Sequence, residues 1–249
     1  MDQDRDESRP PLSSYEDLAK MIDHSLLGPE LSEEQVAEGC RIAEDYNVAS
    51  VTVRPSDVDS ALRWMSGGAV PVGSVVGFPH GSSTTATKLY EARDLLRRGV
   101  KELDMVINIG KMVSRQFHYV EMELLQMAEA CHQSGALLKV IFENACLTDD
   151  LKIIACKIST RAEVDFVKTS TGFAATGYTV EDLRLMRAHS GPNVRIKAAG
   201  GVRTLEKALE VRRLGCSRLG ATATVAILEE WKTYLAQKTA AQASGESKQ

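Results

Sequence analysis

The stretch VDFVKTSTGFAATG, residues Val164–Gly177, has the pattern of a buried β-strand that ends in a glycine-containing loop. Its first residues, Val164 to Val167, are mostly apolar, and the hydroxyl residues that follow continue the β-preference toward Gly172. Lys168 interrupts the pattern, although a lysine is almost never fully buried unless it is paired or used in chemistry. The stretch therefore predicts both a strand of a covered sheet and a candidate functional lysine.

The same alternation of a short apolar run and a helical segment recurs along the chain. Near-continuous apolar runs are typical of parallel strands that are covered by helices. The eight runs are KMIDHSLL (20–27), ASVTVRP (49–55), VPVGSVVGFP (70–79), ELDMVINIG (102–110), LLKVIFEN (137–144), DFVKTSTG (165–172), NVRIKAAGG (193–201) and SRLGAT (217–222). Eight such units in 249 residues predict an α/β fold, a closed (β/α)8 TIM barrel in a single domain. An open doubly wound sheet is the alternative, and the lack of a GxGxxG turn after the first strand weakens it.

The two ends of the chain differ in composition from the rest. Residues 1–13 are charged and contain RPP, and residues 239–249 are small and polar, so both are expected to be disordered tails. Residues 14–238 are expected to form the barrel domain, because no Pro/Gly-rich linker divides them. The pattern of Tyr15–Lys20 predicts a short extra helix at the bottom of the barrel.

Composition argues against several classes of function. A formal net charge of −4 without a basic stripe is not typical of a nucleic-acid binder. No run approaches the roughly 18 apolar residues of a membrane span, and the acidic N-terminus is not typical of a targeting signal. The five cysteines form no CxxC pair, which favours a cytoplasmic location. The histidines lack metal-site spacing, so neither a metal nor another cofactor is expected.

Functional side chains of a (β/α)8 barrel lie at the carboxyl ends of its strands. Lys168 and Lys197 take this position on the sixth and seventh strands, and Asp104 takes it on the fourth. Because side chains alternate across a strand, Lys168 shares a face with Phe166 and Ser170. If this face is the barrel interior, the three ionisable groups converge at the barrel mouth.

Two neighbouring lysines alter each other's chemistry. Like charge and partial desolvation both favour the neutral amine of Lys168, which can attack a carbonyl carbon and form a Schiff base. Asp104 would hold Lys197 charged or move protons through water. The alternative is a structural ion pair, which needs one lysine rather than two. Lys139 lies deeper in the fifth strand and is expected to pair with Glu143.

Glycines follow three consecutive strands of the predicted barrel. Gly172 follows the sixth strand, AAGG (Ala198–Gly201) the seventh and LGATA (Leu219–Ala223) the eighth. Unobstructed backbone N–H groups in the loops after strands seven and eight often bind phosphate in such barrels. Together the three loops predict that the substrate carries an anionic group, a phosphate.

Several of these segments resemble one enzyme family. ELDMVIN, DFVKTSTGF with the following ATG, and VRIKAAGGVRT are similar to the signature strands of deoxyribose-phosphate aldolases, class I aldolases of the DeoC type. The resemblance covers roughly Leu18 to Trp231. It implies a (β/α)8 enzyme that reversibly cleaves 2-deoxy-D-ribose 5-phosphate to acetaldehyde and D-glyceraldehyde 3-phosphate, in deoxyribose catabolism and without a metal.

The resemblance also implies roles for individual residues. Lys168 matches the Schiff-base lysine, Lys197 the second lysine that lowers its pKa, and Asp104 the acid that works with them through water. The residues expected to bind substrate, near a hydroxyl or the phosphate, are Asp23, Ser25, Ser170, Gly172, Gly200, Gly201, Gly220 and Thr222.

The sequence departs from the best-known members of that family at five positions. Phe173 stands where some members have a lysine, which leaves the phosphate without a nearby cation, and Thr222-Ala223 replaces a Ser-Ser pair. Thr52 stands where some members have a cysteine, and the chain ends in Gln249 rather than a tyrosine that assists proton transfer. These departures bear on affinity, aldehyde tolerance and rate more than on the reaction type.

Two other functions remain open on the residues alone. One is a different Schiff-base aldolase that acts on another phosphorylated sugar, and the other is a barrel that binds a phosphorylated metabolite without turnover. Barrels of this kind often pair through their outer helices, so a homodimer is expected.

Overall fold

All eight predicted strands are present and pair in sequence order into a closed parallel barrel. The structure is a computed structural model that describes residues 12–246, with side chains as far as residue 241. The strands are β1 (Ile22–Leu26), β2 (Ser50–Val53), β3 (Val72–Val76), β4 (Glu102–Val106), β5 (Leu137–Ile141), β6 (Phe166–Lys168), β7 (Arg195–Ala198) and β8 (Arg218–Ala221). Because β8 pairs with β1, the (β/α)8 prediction is confirmed and the open-sheet alternative is wrong.

Helices surround the barrel and connect its strands. They are α1 (Tyr15–Ala19), α2 (Glu33–Asp45), α3 (Val58–Trp64), α4 (Thr85–Arg98), α5 (Ile109–Val113), α6 (Phe117–Gln133), α7 (Asp149–Arg161), α8 (Val180–His189), α9 (Leu205–Arg213) and α10 (Thr224–Glu246). The predicted extra helix is α1, which leads into the amino end of β1 and packs on α10. Within residues 12–246, no helix has both the length and the apolar character that a membrane span requires.

The chain ends differ from the composition-based expectation. Residues 1–11 of the expected N-terminal tail lie outside the described residues, but Leu12 packs against the core and Ser13 N donates to Asp17 Oδ2 at 2.7 Å. At the other end α10 continues to Glu246, although composition predicts a disordered tail from residue 239. Alanine, the residue with the highest helix propensity, occupies three of the eight positions from 239 to 246.

The apolar core lies between the strands and the helices, and the inside of the barrel is largely polar. Leu103 and Met105 point outward into this core, whereas Asp104 between them points inward. Cα partners in a parallel register point to the same side, so Lys139 and Lys168, on the neighbouring strands, also face the interior. The strand pattern therefore places ionisable groups inside the barrel.

An aromatic and two cations close the bottom of the barrel. The ring of Phe166 lies inside, with the guanidinium carbon of Arg195 3.9 Å and that of Arg218 5.5 Å from its centroid. Arg218 also donates to both carboxylate oxygens of Glu102 at 3.1 Å. Paired charges thus fill the lower interior, and a substrate must approach from the carboxyl ends of the strands.

Candidate active site

Three lysines converge on the carboxylate of Asp104. Lys168 Nζ and Lys197 Nζ each donate to Oδ2 at 2.8 Å, and Lys139 Nζ donates to Oδ1 at 2.9 Å. All four side chains are almost completely buried. The predicted group of Lys168, Lys197 and Asp104 is therefore assembled in space, with Lys139 as a further member.

The expected pairing of Lys139 with Glu143 is wrong. Lys139 Nζ contacts Glu102 at 2.6 Å, Asp104 at 2.9 Å and Asp23 at 3.0 Å. Four residues along an extended strand separate two side chains by roughly 13 Å, so Glu143 lies too far along the chain to reach the Lys139 amine. Burial opposes charge on Lys139, but the three carboxylates outweigh it and raise the pKa of Lys139.

Asp23 lies beneath the mouth of the barrel rather than in its lining. Its carboxylate contacts Lys197 at 2.5 Å and Lys139 at 3.0 Å, accepts from Ser50 Oγ at 2.8 Å, and pairs with Arg218. Burial opposes ionisation, but Lys139, Lys197 and Arg218 outweigh it and hold the pKa of Asp23 below its usual value. The side chain is fully buried, which does not fit the expected contact with a substrate hydroxyl.

Among the residues that the structure describes, this interior network has one more cationic group than carboxylates when every group is ionised. The carboxylates are Asp23, Glu102 and Asp104, and the cationic groups are Lys139, Lys168, Lys197 and Arg218. Burial of an unbalanced charge is costly, so the group that loses its proton most easily should be the first to become neutral as the pH rises. Burial lowers the pKa of Lys168 to about 8. The charges of Lys197 and Lys139 also lower this pKa, whereas the carboxylate of Asp104 raises it.

Lys168 is also the lysine of this group that lines the open cavity. The cavity has a volume of about 800 Å³ and lies at the carboxyl ends of the strands. Lys139 and Lys197 are fully buried below it. A lysine with a lowered pKa and access to a cavity fits the predicted nucleophile.

The cavity gathers most of the residues that the sequence predicts to bind substrate. Those in its lining are Ser25, Gly172, Gly200, Gly201, Gly220 and Thr222. Ser170 is instead fully buried behind the loop, near Gly200, and its Oγ has no hydrogen-bond partner among the described residues. Gly172, Gly200 and Gly201 have φ of 91°, 79° and 104°, a region that favours glycine, so their lack of a side chain follows from backbone geometry as well as from ligand access.

Sequence reasoning missed three residues of the lining. Arg203 lines the cavity two residues beyond Gly201, and it supplies the cation that the sequence lacks at Phe173. Thr171 lines the cavity beside Gly172. Arg203 lies in VRIKAAGGVRT and Thr171 in DFVKTSTG. In both segments the lysines and glycines indicate a site, and no local pattern indicates the arginine or the threonine.

His24 is the third, and its role is to hold a loop. His24 Nδ1 lies 2.7 Å from Thr224 Oγ1, which joins β1 to the first residue of α10. Burial lowers the pKa of His24 to about 4, so the imidazole is neutral at pH 7. It therefore contributes a hydrogen bond rather than a positive charge to the cavity wall.

A (β/α)8 barrel with a buried, readily deprotonated lysine at its mouth belongs to the class of barrels equipped for Schiff-base chemistry. The profile of the DeoC/LacD family of aldolases matches residues 17–224. The chain therefore belongs to the DeoC/LacD aldolase family.

Individual relatives agree with this assignment. The chain is 47% identical over 221 residues to a deoxyribose-phosphate aldolase of Rhodopirellula baltica, with 89% of this chain and 92% of the relative covered. It is 43% identical over 212 residues to one from Clostridium perfringens, with 85% and 94% covered. The deoxyribose phosphate aldolase of Aeropyrum pernix, whose structure is described as a unique tetramer, superposes with a TM-score of 0.83 at 31% identity and covers 90% of this chain and 94% of its own.

The lowered pKa of Lys168 predicts how its reactivity depends on pH. Because the neutral amine is the nucleophile, its reaction with acetaldehyde should slow about tenfold for each pH unit below 8 and level off above pH 8. Trapping with cyanoborohydride between about pH 6 and pH 10, followed by mass spectrometry of the Lys168 peptide, measures the rate. A rate that continues to rise tenfold per unit up to pH 10 would contradict the lowered pKa.

Proposed function

We propose that this protein reversibly cleaves 2-deoxy-D-ribose 5-phosphate to acetaldehyde and D-glyceraldehyde 3-phosphate through a Schiff base on Lys168. The observation that carries the proposal is the Lys168 amine, whose pKa is lowered to about 8 and which lines a cavity edged by three glycine loops. The similar proteins from Rhodopirellula baltica and Clostridium perfringens are named for this substrate.

The first half of the proposed reaction forms the iminium. The neutral amine of Lys168 attacks the aldehyde carbon of the open-chain sugar phosphate and gives a carbinolamine. Lys168 Nζ and Lys197 Nζ both donate to Oδ2 of Asp104. Asp104 and Lys197 therefore provide a path for the proton that converts the carbinolamine hydroxyl into a departing water. Loss of water leaves a positively charged iminium carbon.

The second half breaks the carbon–carbon bond. The iminium at C1 accepts the electron pair of the C2–C3 bond as the C3 hydroxyl loses its proton, so glyceraldehyde 3-phosphate leaves and an enamine remains on Lys168. Protonation of the enamine carbon and addition of water then release acetaldehyde and restore the amine. The iminium serves as the electron sink, so the proposed mechanism needs no metal and no other cofactor.

The phosphate end of the substrate is proposed to lie against the loops after β6, β7 and β8. Gly172 and Gly201 have open space beside their backbone, because a Cβ added to either would meet no atom within 4 Å, and α9 begins shortly after, with Thr204 as its N-cap. The positive end of a helix and a nearby arginine both favour an anion. Arg203 supports this placement because it lines the same cavity.

The position of the loop after β7 depends on a backbone contact with Gly177. A Cβ on Gly177 would lie 1.8 Å from the carbonyl oxygen of Gly200, and Tyr178 N donates to the carbonyls of Ala199 (3.1 Å) and Gly200 (3.2 Å). Gly177 does not lie in the left-handed region, so an alanine there would act through this contact alone. Any side chain at Gly177 must displace the proposed phosphate loop.

Assembly and location are part of the proposal as well. We propose a homodimer, supported by exposed apolar side chains on the outer helices, such as Met122 and Leu125 on α6. The cytoplasm is the proposed location, on the basis of five cysteines that are all free thiols.

Covalent trapping tests the proposed nucleophile directly. Borohydride added together with acetaldehyde should reduce the Schiff base and leave a two-carbon adduct on Lys168, because this amine loses its proton readily and lines the cavity. Mass spectrometry of peptides locates the adduct, and release of acetaldehyde from 2-deoxyribose 5-phosphate is assayed in parallel. An adduct on another lysine would sink the assignment, and a protein that binds the sugar phosphate without any adduct would be a binding protein rather than an aldolase.

Lys197→Leu should lower kcat by about 10²–10⁴-fold, because it removes both the charge that lowers the Lys168 pKa and a partner in proton transfer. Its pH profile should also move to higher pH. Steady-state kinetics and thermal unfolding measure the two effects, with Lys207→Leu, an exposed lysine paired to Glu210, as the control. Near-normal turnover in the Lys197 variant would refute its role.

Gly177→Ala should raise KM for 2-deoxyribose 5-phosphate by about tenfold or more, since misplacement of a binding loop by an ångström is costly. The rate of trapping with acetaldehyde, which has no phosphate, should change little. Gly110→Ala is the matched control, because Gly110 also lies outside the left-handed region and a Cβ added to it would meet only Asn108 Oδ1, at an ordinary contact distance of 3.7 Å. An unchanged KM in Gly177→Ala would show that this contact does not position the loop.

A further inference from the structure

The segment after β5 is hydrogen-bonded to the end of β6 and to the loop that follows Lys168. Phe142 N donates to the Lys168 carbonyl at 3.0 Å, and Asn144 N donates to the Thr169 carbonyl at 2.9 Å. Between these two bonds the side chain of Glu143 reaches further along the loop, where Oε2 accepts hydrogen bonds from Thr171 N at 3.2 Å and from Thr171 Oγ1. The loop is therefore anchored by backbone bonds near Lys168 and by a carboxylate near Thr171.

Glu143 adopts an unfavourable state to make this contact. Its backbone has φ 54° and ψ 68°, in the left-handed region that residues other than glycine rarely occupy, and its side chain is buried. No Lys or Arg is paired with Glu143 among the ion pairs of residues 12–241, and its Oε1 has no hydrogen-bond partner within this range. A buried, unpaired carboxylate on a strained backbone is typical of a site where position matters more than stability.

Thr171 connects Glu143 to the cavity wall through hydrogen bonds. Its hydroxyl donates its single proton to Glu143 and accepts from Phe173 N at 3.0 Å, so both the hydroxyl and the turn around Gly172 are held. Thr171, Gly172 and Phe173 all line the cavity. Gly172 has a φ of 91°, and a Cβ placed on it would meet no atom within 4 Å, so this turn has little packing of its own to define it.

We propose that Glu143 is a positioning residue that acts through Thr171 to hold the loop after β6 against the phosphate-bearing part of the substrate. The inference rests on the proposed function. It assigns Glu143 no contact with the reacting carbon, because the backbone bond from Phe142 to Lys168 holds the nucleophile separately. Recognition of the sugar phosphate should therefore depend on Glu143, whereas the reaction of Lys168 with a small aldehyde should not.

Glu143→Ala is expected to lower kcat/KM for 2-deoxyribose 5-phosphate by about tenfold or more, mainly through KM, because a loop 1 Å out of place binds poorly. The rate of borohydride trapping of acetaldehyde on Lys168 should stay within about threefold of the wild type, since acetaldehyde has no phosphate to be held. Glu143→Gln keeps an oxygen that can accept from Thr171, and it should restore most of the lost affinity.

Glu163→Ala is the matched control. Glu163 is also a glutamate in the left-handed region, with φ 55°, but it is exposed and follows the last turn of α7. Both alanine variants change the same backbone strain, so a difference between them in KM belongs to the Glu143 carboxylate. Glu163→Ala should leave both KM and trapping unchanged.

A double-mutant cycle tests the route through Thr171. Thr171→Val removes the hydroxyl bond to Glu143 but keeps the bond from Thr171 N, so Glu143→Ala should cost clearly less in the Thr171→Val background than in the wild type. Losses that multiply would overturn the proposed route, and so would a fall in acetaldehyde trapping equal to the fall in sugar cleavage. If Glu143→Ala does not fold, Thr171→Val gives the same comparison of KM with trapping, and Glu143→Gln is the variant expected to stay near the wild type.

The two proposals fail in different ways. A wild-type protein that releases no acetaldehyde from 2-deoxyribose 5-phosphate overturns the proposed function and this inference with it. A wild-type protein that turns over, beside a Glu143→Ala variant with an unchanged KM, overturns the role of Glu143 alone.

Discussion

The carboxylate of Asp104 is the interaction on which the rest of the structure depends. It lies in the interior of a closed barrel, away from water, and accepts hydrogen bonds from three lysines on three other strands. Removal of the Asp104 carboxylate would leave three buried amines without their shared partner, so strands β4 to β7 are linked by electrostatics as well as by their ladder hydrogen bonds. Lys168 and Lys197 both donate to one oxygen of this carboxylate, so the network that links the strands also holds the two lysines of the proposed reaction together.

Competition between charges in this network selects the group that reacts. Asp23 and Glu102 hold Lys139, and Asp23 and Asp104 hold Lys197, whereas Lys168 has Asp104 as its one carboxylate partner among the described residues. The proton is therefore least favoured on Lys168, which is also the lysine that the cavity reaches. Lys168 can therefore lose its charge, whereas the charges of Lys139 and Lys197 compensate the buried carboxylates.

The loops proposed to bind the substrate are positioned by contacts between loops rather than by side chains of one strand. Gly177 fits against Gly200 because neither residue has a Cβ, and Glu143 holds Thr171 across the ends of β5 and β6. Both contacts hold a residue that lines the cavity, Gly200 or Thr171, and neither touches the Lys168 amine. The barrel thus supports the proposed nucleophile and the proposed anion-binding loops through separate sets of interactions.

The sequence by itself determined the eight strands, their closure into a (β/α)8 barrel, and the positions of Lys168, Lys197 and Asp104 at the strand ends, because apolar runs and side-chain alternation are local properties of the chain. Only the tertiary structure decided that Lys139 pairs with Asp23, Glu102 and Asp104, that Asp23 lies beneath the cavity, and that Arg203 lines it. These contacts join segments far apart in the chain. Their partners are chosen by barrel closure and by the balance of buried charge, which no local pattern encodes.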